Sequence, residues 1–190
     1  MHGGSTAVWY LMRSTGVVSV VLLTAVMALG IATTNRWAPP STPRFVTAAL
    51  HRSVSLLSVV FVGIHVVTAV VDPYAAVGVV AVVVPFVGAG NPLWVGLGAV
   101  SLDLIAALIV SSLLRRHVGY RPWRAIHWLA YMSWPVALAH GLGTGTDASS
   151  LWFRLVAIAC IATVSAALAW RLSRRHHGKR LEPHVLRAAL

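Results

Sequence analysis

Two long apolar stretches, each with a histidine near both ends, constrain the fold of this chain most strongly. One runs from His51 to His65 and the other from His127 to His140. At about 1.5 Å of rise per residue, each pair of histidines spans roughly 20 Å along a helix. The hydrocarbon core of a bilayer is about 30 Å thick. Each stretch therefore predicts a transmembrane helix that holds one imidazole in each leaflet.

The two pairs differ in helical phase. The separation between His51 and His65 places them on nearly one face of a helix, about 40° apart. The separation between His127 and His140 is one residue shorter, which leaves them about 140° apart in a straight helix. Pro135 lies between these two histidines, and we expect it to kink or re-phase the helix.

Four histidines at matched depths favour a ligand role. A single histidine on an apolar face is often a core residue that bonds to a neighbouring carbonyl. Ionisable groups inside membranes are costly, however, and are usually functional. Neutral imidazole is a good axial ligand of haem iron. The pattern therefore predicts two bis-imidazole sites stacked across the membrane.

The composition indicates one integral membrane domain. Hydrophobic residues make up 58% of the chain and charged residues 10%, whereas soluble domains average about 25% charged. Cys160 is the only cysteine, so an internal disulfide and a covalent c-type haem are both excluded. No Cys/His cluster has the spacing of a zinc site. The net charge of +11 comes from basic residues beside apolar spans, which is typical of cytoplasmic membrane flanks and not of nucleic-acid binding.

We predict an all-α integral membrane protein with five transmembrane helices. The apolar residues 75–86 are too few to cross a bilayer, so we interpret them as a short re-entrant or interfacial segment; a full sixth span is the alternative. Residues 1–8 are expected to be disordered, residues 9–172 to form the membrane domain, and residues 173–190 to form a basic cytoplasmic tail. The predicted spans are residues 9–33, 45–71, 93–114, 123–142 and 151–172.

The distribution of basic residues predicts the orientation of a plasma-membrane protein. The loops after the first and third spans and the tail carry lysine or arginine, whereas the other two loops carry neither. The positive-inside rule then places the N-terminus outside and the C-terminus in the cytoplasm, with Arg13 as the exception. Spans two and four run in the same direction. Depth therefore pairs His51 with His127 near the cytoplasm and His65 with His140 near the outer face.

These features carry a family resemblance over about residues 9–172. Two same-direction helices with His-x13-His and His-x12-His, the run Tyr120-Arg-Pro-Trp-Arg-Ala-Ile-His127 and the run His140-Gly-Leu-Gly-Thr-Gly-Thr-Asp147 resemble the ferric reductase-like transmembrane domain. That family includes the membrane parts of ferric reductases and NADPH oxidases and bacterial haem subunits. The resemblance implies transmembrane electron transfer through two non-covalent b-type haems, from a cytoplasmic or quinol donor to ferric chelate, oxygen or a separate redox protein.

The sequence also departs from that family. It has no flavin or nicotinamide domain after the membrane part, so flavin or NAD(P)H would belong to a separate donor protein. Many relatives have six spans, where this chain is predicted to have five. We therefore expect an oxidoreductase subunit that works with separate donor and acceptor proteins.

Three arginines are candidate partners of haem propionates. Arg52 and Arg124 flank the predicted inner histidines, and Arg154 lies near the outer pair. A guanidinium suits a carboxylate bidentately. The alternative for Arg52 and Arg124 is ordinary flanking charge, and for Arg154 it is a pair with Asp147.

Two other functions remain open on the sequence alone. The first is a small transporter or channel in which the histidines and Asp103 relay protons without haem. The second is an assembly subunit that holds haem without turnover. The visible spectrum of the purified protein separates the transporter from the haem proteins.

Overall fold

The computed structural model describes residues 3–35, 43–75, 77–88, 91–144 and 147–187, with no side chains described for residues 3–5, 44 and 175–187. The described part of the chain is helical and contains no strand, which confirms the all-α prediction. The helices are α1 (Gly3–Thr34), α2 (Arg44–Val71), α3 (Val79–Val83), α4 (Pro92–Leu113), α5 (Arg115–Val118), α6 (Tyr120–His127), α7 (Ala130–Thr144) and α8 (Leu151–Arg187).

Four helices are long and apolar enough to cross a membrane, and they coincide with the first, second, third and fifth predicted spans. We expected residues 1–8 to be disordered. α1 begins at Gly3, however, so part of that segment is helical. Extending an existing helix by a turn costs far less than starting a new one. The proline-rich loop between the first two spans lies mostly outside the described residues. The four segments are Thr6–Thr34, Phe45–Val71, Pro92–Leu113 and Leu151–Arg174.

The predicted fourth span consists of two helices. A turn at Trp128 and Leu129 separates α6 from α7, and both of these residues donate their N–H groups to carbonyls three residues back, at 3.2 and 2.9 Å. The interruption therefore precedes Pro135, which lies inside α7. A proline removes one backbone donor, and its ring displaces the carbonyl four residues earlier. The irregular hydrogen bonds fall in the turn on its N-terminal side.

The apolar segment between the second and third spans contains the five-residue helix α3. A helix of this length rises only about 8 Å, so it is too short to be a full sixth span. The segment that follows it packs on α4, where Phe86 lies against Gly96. Its interfacial or re-entrant position stays a prediction.

Two helix pairs, α1 with α2 and α4 with α7, form most of the bundle, and α8 packs on α1. Side-chain hydrogen bonds hold α7 between α1 and α4. The Trp134 indole N–H donates to Thr24 Oγ1 at 2.9 Å, and the Ser101 hydroxyl donates to the Ser133 carbonyl at 3.2 Å. These contacts set the position of α7 and of the histidine that it carries.

Candidate functional site

The structure brings the four apolar-span histidines together as two pairs. The ring centroids of His65 and His140 are 6.2 Å apart, with their planes at 73°. His51 and His127 lie close enough to interact electrostatically. We call the part of the bundle around the first pair the His65 end and the part around the second pair the His51 end. Among the described residues, no group of three or more His, Cys, Asp or Glu could hold a metal ion.

Three of these imidazoles are hydrogen-bonded to backbone carbonyls of a neighbouring helix. The Nδ1 atom of His65 lies 2.8 Å from the Met12 carbonyl. The corresponding distances are 3.1 Å for His51 to Val26 and 2.8 Å for His140 to Trp94. A carbonyl only accepts hydrogen bonds, so Nδ1 must carry the proton in each ring. Nε2 is therefore left with the lone pair that a metal requires.

A glycine lies four residues after each of these acceptor carbonyls. In an α-helix, residues four apart share a face, so each ring packs against a site without a side chain. A Cβ atom on Gly16 would lie 2.9 Å from the His65 ring, and one on Gly98 would lie 2.7 Å from the His140 ring. Gly30 makes the same approach to His51 at 3.3 Å. Sequence analysis missed this pattern, although Gly16 and Gly30 have the same separation as the two histidines of α2.

The fourth histidine departs from this arrangement. The two glycines of α1 and their acceptor carbonyls each recur at one fixed separation. Applied to α4, this separation leads from the Trp94 carbonyl to the Leu108 carbonyl and from Gly98 to Ser112, so a serine lies where a second glycine would be expected. The Leu108 carbonyl accepts a bond from the Ser111 hydroxyl at 3.1 Å. The Nδ1 atom of His127 is buried and has no hydrogen-bond partner among the described residues.

Aromatic stacking takes the place of the missing hydrogen bond at His127. The ring stacks on Trp123 with centroids 4.8 Å apart and planes at 28°. The Trp123 indole N–H donates to Ser112 Oγ at 3.3 Å, and the Arg115 guanidinium lies 4.3 Å from the centroid of Trp123. His127 is therefore positioned by the end of α6 and not by a carbonyl of α4.

A cavity of about 470 Å³ opens between the helices at the His65 end. This volume is within the range of roughly 300–1,000 Å³ that is usual for small-molecule and cofactor sites. His65, His140 and the two glycines against which they pack line its wall, together with Arg13 and many apolar side chains. The cavity therefore suits a largely apolar ligand with a charged edge.

The spacing of the rings at the His65 end fits an iron atom between them. A metal–imidazole bond of about 2.0–2.1 Å, with roughly 1.1 Å more from each nitrogen to its ring centre, places the two centroids about 6.3 Å apart. The observed separation is 6.2 Å. His65 and His140 are therefore spaced as two residues that would hold one iron between them.

The arginine that lies beside the histidines at the His65 end is Arg13. Its guanidinium forms an ion pair with Asp147 and lies 4.0 Å from the centroid of the Trp9 ring. Arg154 is exposed, and its Nε donates to the Ala148 carbonyl at 3.0 Å. Asp147 thus pairs with Arg13, the residue that the sequence marked as an exception to the charge rule, and not with Arg154.

Two other predicted arginines and one acidic residue lie on the surface of the chain. Arg52 and Arg124 are exposed on α2 and α6, and their role as propionate partners stays a prediction. Asp103 is exposed within α4 and has no hydrogen-bond or ion-pair partner among the described residues.

The fold and the paired imidazoles define an α-helical membrane protein with two internal pairs of histidines. The family model of the ferric reductase like transmembrane component matches residues 15–138, which is more than half of the chain. The chain belongs to this family, as the sequence resemblance predicted. The matched region includes His51, His65 and His127 and ends shortly before His140. Searches of curated proteins and of solved structures found no match.

Proposed function

We propose that this protein carries electrons across a membrane by means of two non-covalent b-type haems. His65 and His140 would hold one haem, and His51 and His127 the other. The observation that carries the proposal is the 6.2 Å separation of the His65 and His140 rings, which is close to the spacing that two imidazoles would have if they held one iron. The family match supports membrane electron transfer in general.

The protein residues orient the ligands and keep them apart from water. A hydrogen bond from Nδ1–H to a carbonyl fixes the tautomer and the orientation of the ring and raises its basicity as a ligand. His51 and His65 lie roughly 20 Å apart along α2, so the two sites are at different depths. When bound, the haems supply one-electron chemistry at these depths.

We further propose an orientation with the N-terminus outside and the C-terminus in the cytoplasm of the plasma membrane. The arginine distribution supports this orientation, and α6 with α7 would then make a fifth crossing. The His51 end becomes the inner end, next to a cytoplasmic or quinol donor. The His65 end becomes the outer end, next to an acceptor that would be ferric chelate, oxygen or a separate redox protein.

Purified protein in sealed vesicles tests this function. We expect a reduced b-type spectrum with two haems per chain, and reduction of trapped ferricyanide by a membrane-impermeant donor added outside. Vesicles with the His65→Ala/His140→Ala variant are the matched control and should not reduce the trapped acceptor. A colourless preparation that moves protons would contradict the proposal and favour the transporter. The observation that favours the transporter is Asp103, which lies in α4 and has no hydrogen-bond or ion-pair partner among the described residues.

A further inference from the structure

Arg171, near the His51 end, is a buried cation without a visible counter-ion. Its side chain is only 6% exposed, and a guanidinium N–H donates to the Tyr131 hydroxyl. The guanidinium carbon lies 5.2 Å from the ring centroid of Trp128 and 5.6 Å from that of Tyr131. These partners are neutral, and a buried charge without an opposite charge is strongly unfavourable.

The described side chains of the chain do not supply the missing anion. Its four acidic residues are Asp72, Asp103, Asp147 and Glu182. Among the described side chains, Asp147 pairs with Arg13, and Asp72 accepts the Tyr74 N–H at the far end of α2. Asp103 is exposed in α4 and has no partner there. Glu182 lies about 16 Å further along α8 by helical rise. None of the described carboxylates is therefore the counter-ion of Arg171.

The surroundings of Arg171 connect it to both histidines of the His51 end. Trp128 directly follows His127 in the chain. Tyr131 packs against the core that contains Ile31. Ile31 follows Gly30, which touches the His51 ring. The buried guanidinium thus lies beside the segments that carry or contact both ligands.

We propose that Arg171 binds a propionate carboxylate of the haem held by His51 and His127, an inference that rests on the proposed function. A guanidinium binds a carboxylate through two parallel hydrogen bonds. The Tyr131 hydroxyl accepts one N–H from Arg171, which leaves its own O–H for the same carboxylate. Arg171 is then a positioning residue that also favours the ferrous state, because a fixed cation opposes the extra positive charge of ferric iron.

Redox titration of Arg171→Gln tests this assignment. The midpoint potential of the His51/His127 haem should fall by an amount equal to a tenfold change in the ferrous-to-ferric ratio, about 59 mV for one electron. The His65/His140 haem should keep its potential. Arg171→Lys should recover most of the shift. Arg174→Gln is the matched control, because Arg174 is exposed on the same helix, and it should change neither potential.

Reconstitution with haem dimethyl ester identifies the anion. Without free propionates, Arg171 loses the group that it holds, so wild type and Arg171→Gln should bind the ester at the inner site with equal affinity, whereas Arg171→Gln should bind haem itself more weakly than wild type. Weaker binding by the variant that persists with the ester, together with loss of bound phospholipid phosphorus, would assign Arg171 to a lipid phosphate and overturn the proposal. Equal shifts of both potentials in the redox titration, or none, would also overturn it. If Arg171→Gln does not accumulate, Tyr131→Phe should weaken haem binding by a smaller factor, and the ester should abolish that difference; weaker binding that the ester leaves unchanged would count against the assignment. Wild type without any haem would instead overturn the proposed function.

Discussion

Three imidazoles in this protein are oriented by backbone carbonyls of a neighbouring helix and not by acidic side chains. The carbonyls belong to Met12, Val26 and Trp94, so no substitution removes them directly. The glycine after each carbonyl is the replaceable part of the arrangement. The size of the side chain at that position decides whether the ring can approach.

Gly98→Ala should displace His140 and weaken the outer haem. The added Cβ would lie 2.7 Å from the His140 ring, and loss of the ring's outer hydrogen bond typically costs 10–100-fold in metal affinity. We expect about that loss in haem affinity at the His65/His140 site, measured by haem titration of the apoprotein. Gly63→Ala is the control, since nothing lies within 4 Å of that position. Equal affinity in the two variants would show that the glycine contact is unimportant.

Arg13→Gln should lower the midpoint potential of the outer haem. Arg13 lines the cavity of His65 and His140, and removal of a nearby cation favours ferric iron. Asp147→Asn should have the opposite effect, because it releases Arg13 from its ion pair. Redox titration measures both shifts, and Arg154→Gln is the comparison. A shift from Arg154→Gln with none from Arg13→Gln would restore Arg154 as the propionate partner.

The sequence predicted that His65 would lie near His140 and His51 near His127, and the structure places them so; their role as haem ligands stays a prediction. The residues that support these histidines were not predicted. Span length and spacing follow from local helix geometry, so they can be derived from one chain. The partners of Nδ1 depend on how two helices pack. The roles of Arg13 and Arg171 depend on burial, which a charge count does not reveal.

The helix pairs α1–α2 and α4–α7 resemble each other in how they hold histidines. In the first pair, both rings bond to α1 and pack on its glycines. In the second pair only His140 does so, whereas His127 stacks on Trp123 and its Nδ1 has no partner among the described residues. The two sites are therefore unequal in the support of their ligands.

This asymmetry predicts that the inner haem leaves first. Without a second hydrogen bond, a ring is a weaker and less fixed ligand, typically by 10–100-fold in affinity. Excess apomyoglobin should therefore capture the His51/His127 haem at least about tenfold faster than the other. Trp123→Leu should accelerate that loss, while Trp152→Leu, at an exposed position, should not. Faster loss of the outer haem would contradict this interpretation.

The break between α6 and α7 shows where element prediction reached its limit. Pro135 was expected to kink or re-phase the helix between His127 and His140, but it lies inside α7. The position of the interruption, at Trp128 and Leu129, also depends on the contacts of Ser133 and Trp134 with neighbouring helices. Such contacts bridge residues far apart in the chain, so a local pattern does not reveal them.

At the scale of the whole molecule, the charge rule predicts an orientation that labelling can test. Ser149 precedes the last apolar segment, Leu151–Arg174, and Ser173 lies at its C-terminal end; both residues are exposed. In a Cys160→Ala background, Ser149→Cys should react with an impermeant thiol reagent in intact cells, and Ser173→Cys only after lysis. Reaction at position 173 without reaction at position 149 would reverse the assignment of inner and outer ends.

The all-helical membrane fold followed from composition and apolar run length, since both reflect the bilayer as solvent. The family followed from the resemblance of the histidine-bearing sequence runs, and the family match confirms it. The predicted fourth span is not one continuous helix, and a fifth crossing stays a proposal. α7 has 15 residues, and the remainder of the predicted span belongs to α6 and the turn.

Haem content of the four single histidine variants tests the central claim most directly. The geometry predicts that His65→Ala and His140→Ala remove the same haem, and that His51→Ala and His127→Ala remove the other. Each variant should keep about one haem per chain, and the potential that remains should be identical within each pair. Loss of one common haem from His51→Ala and His140→Ala, or full haem content in all four variants, would contradict the account.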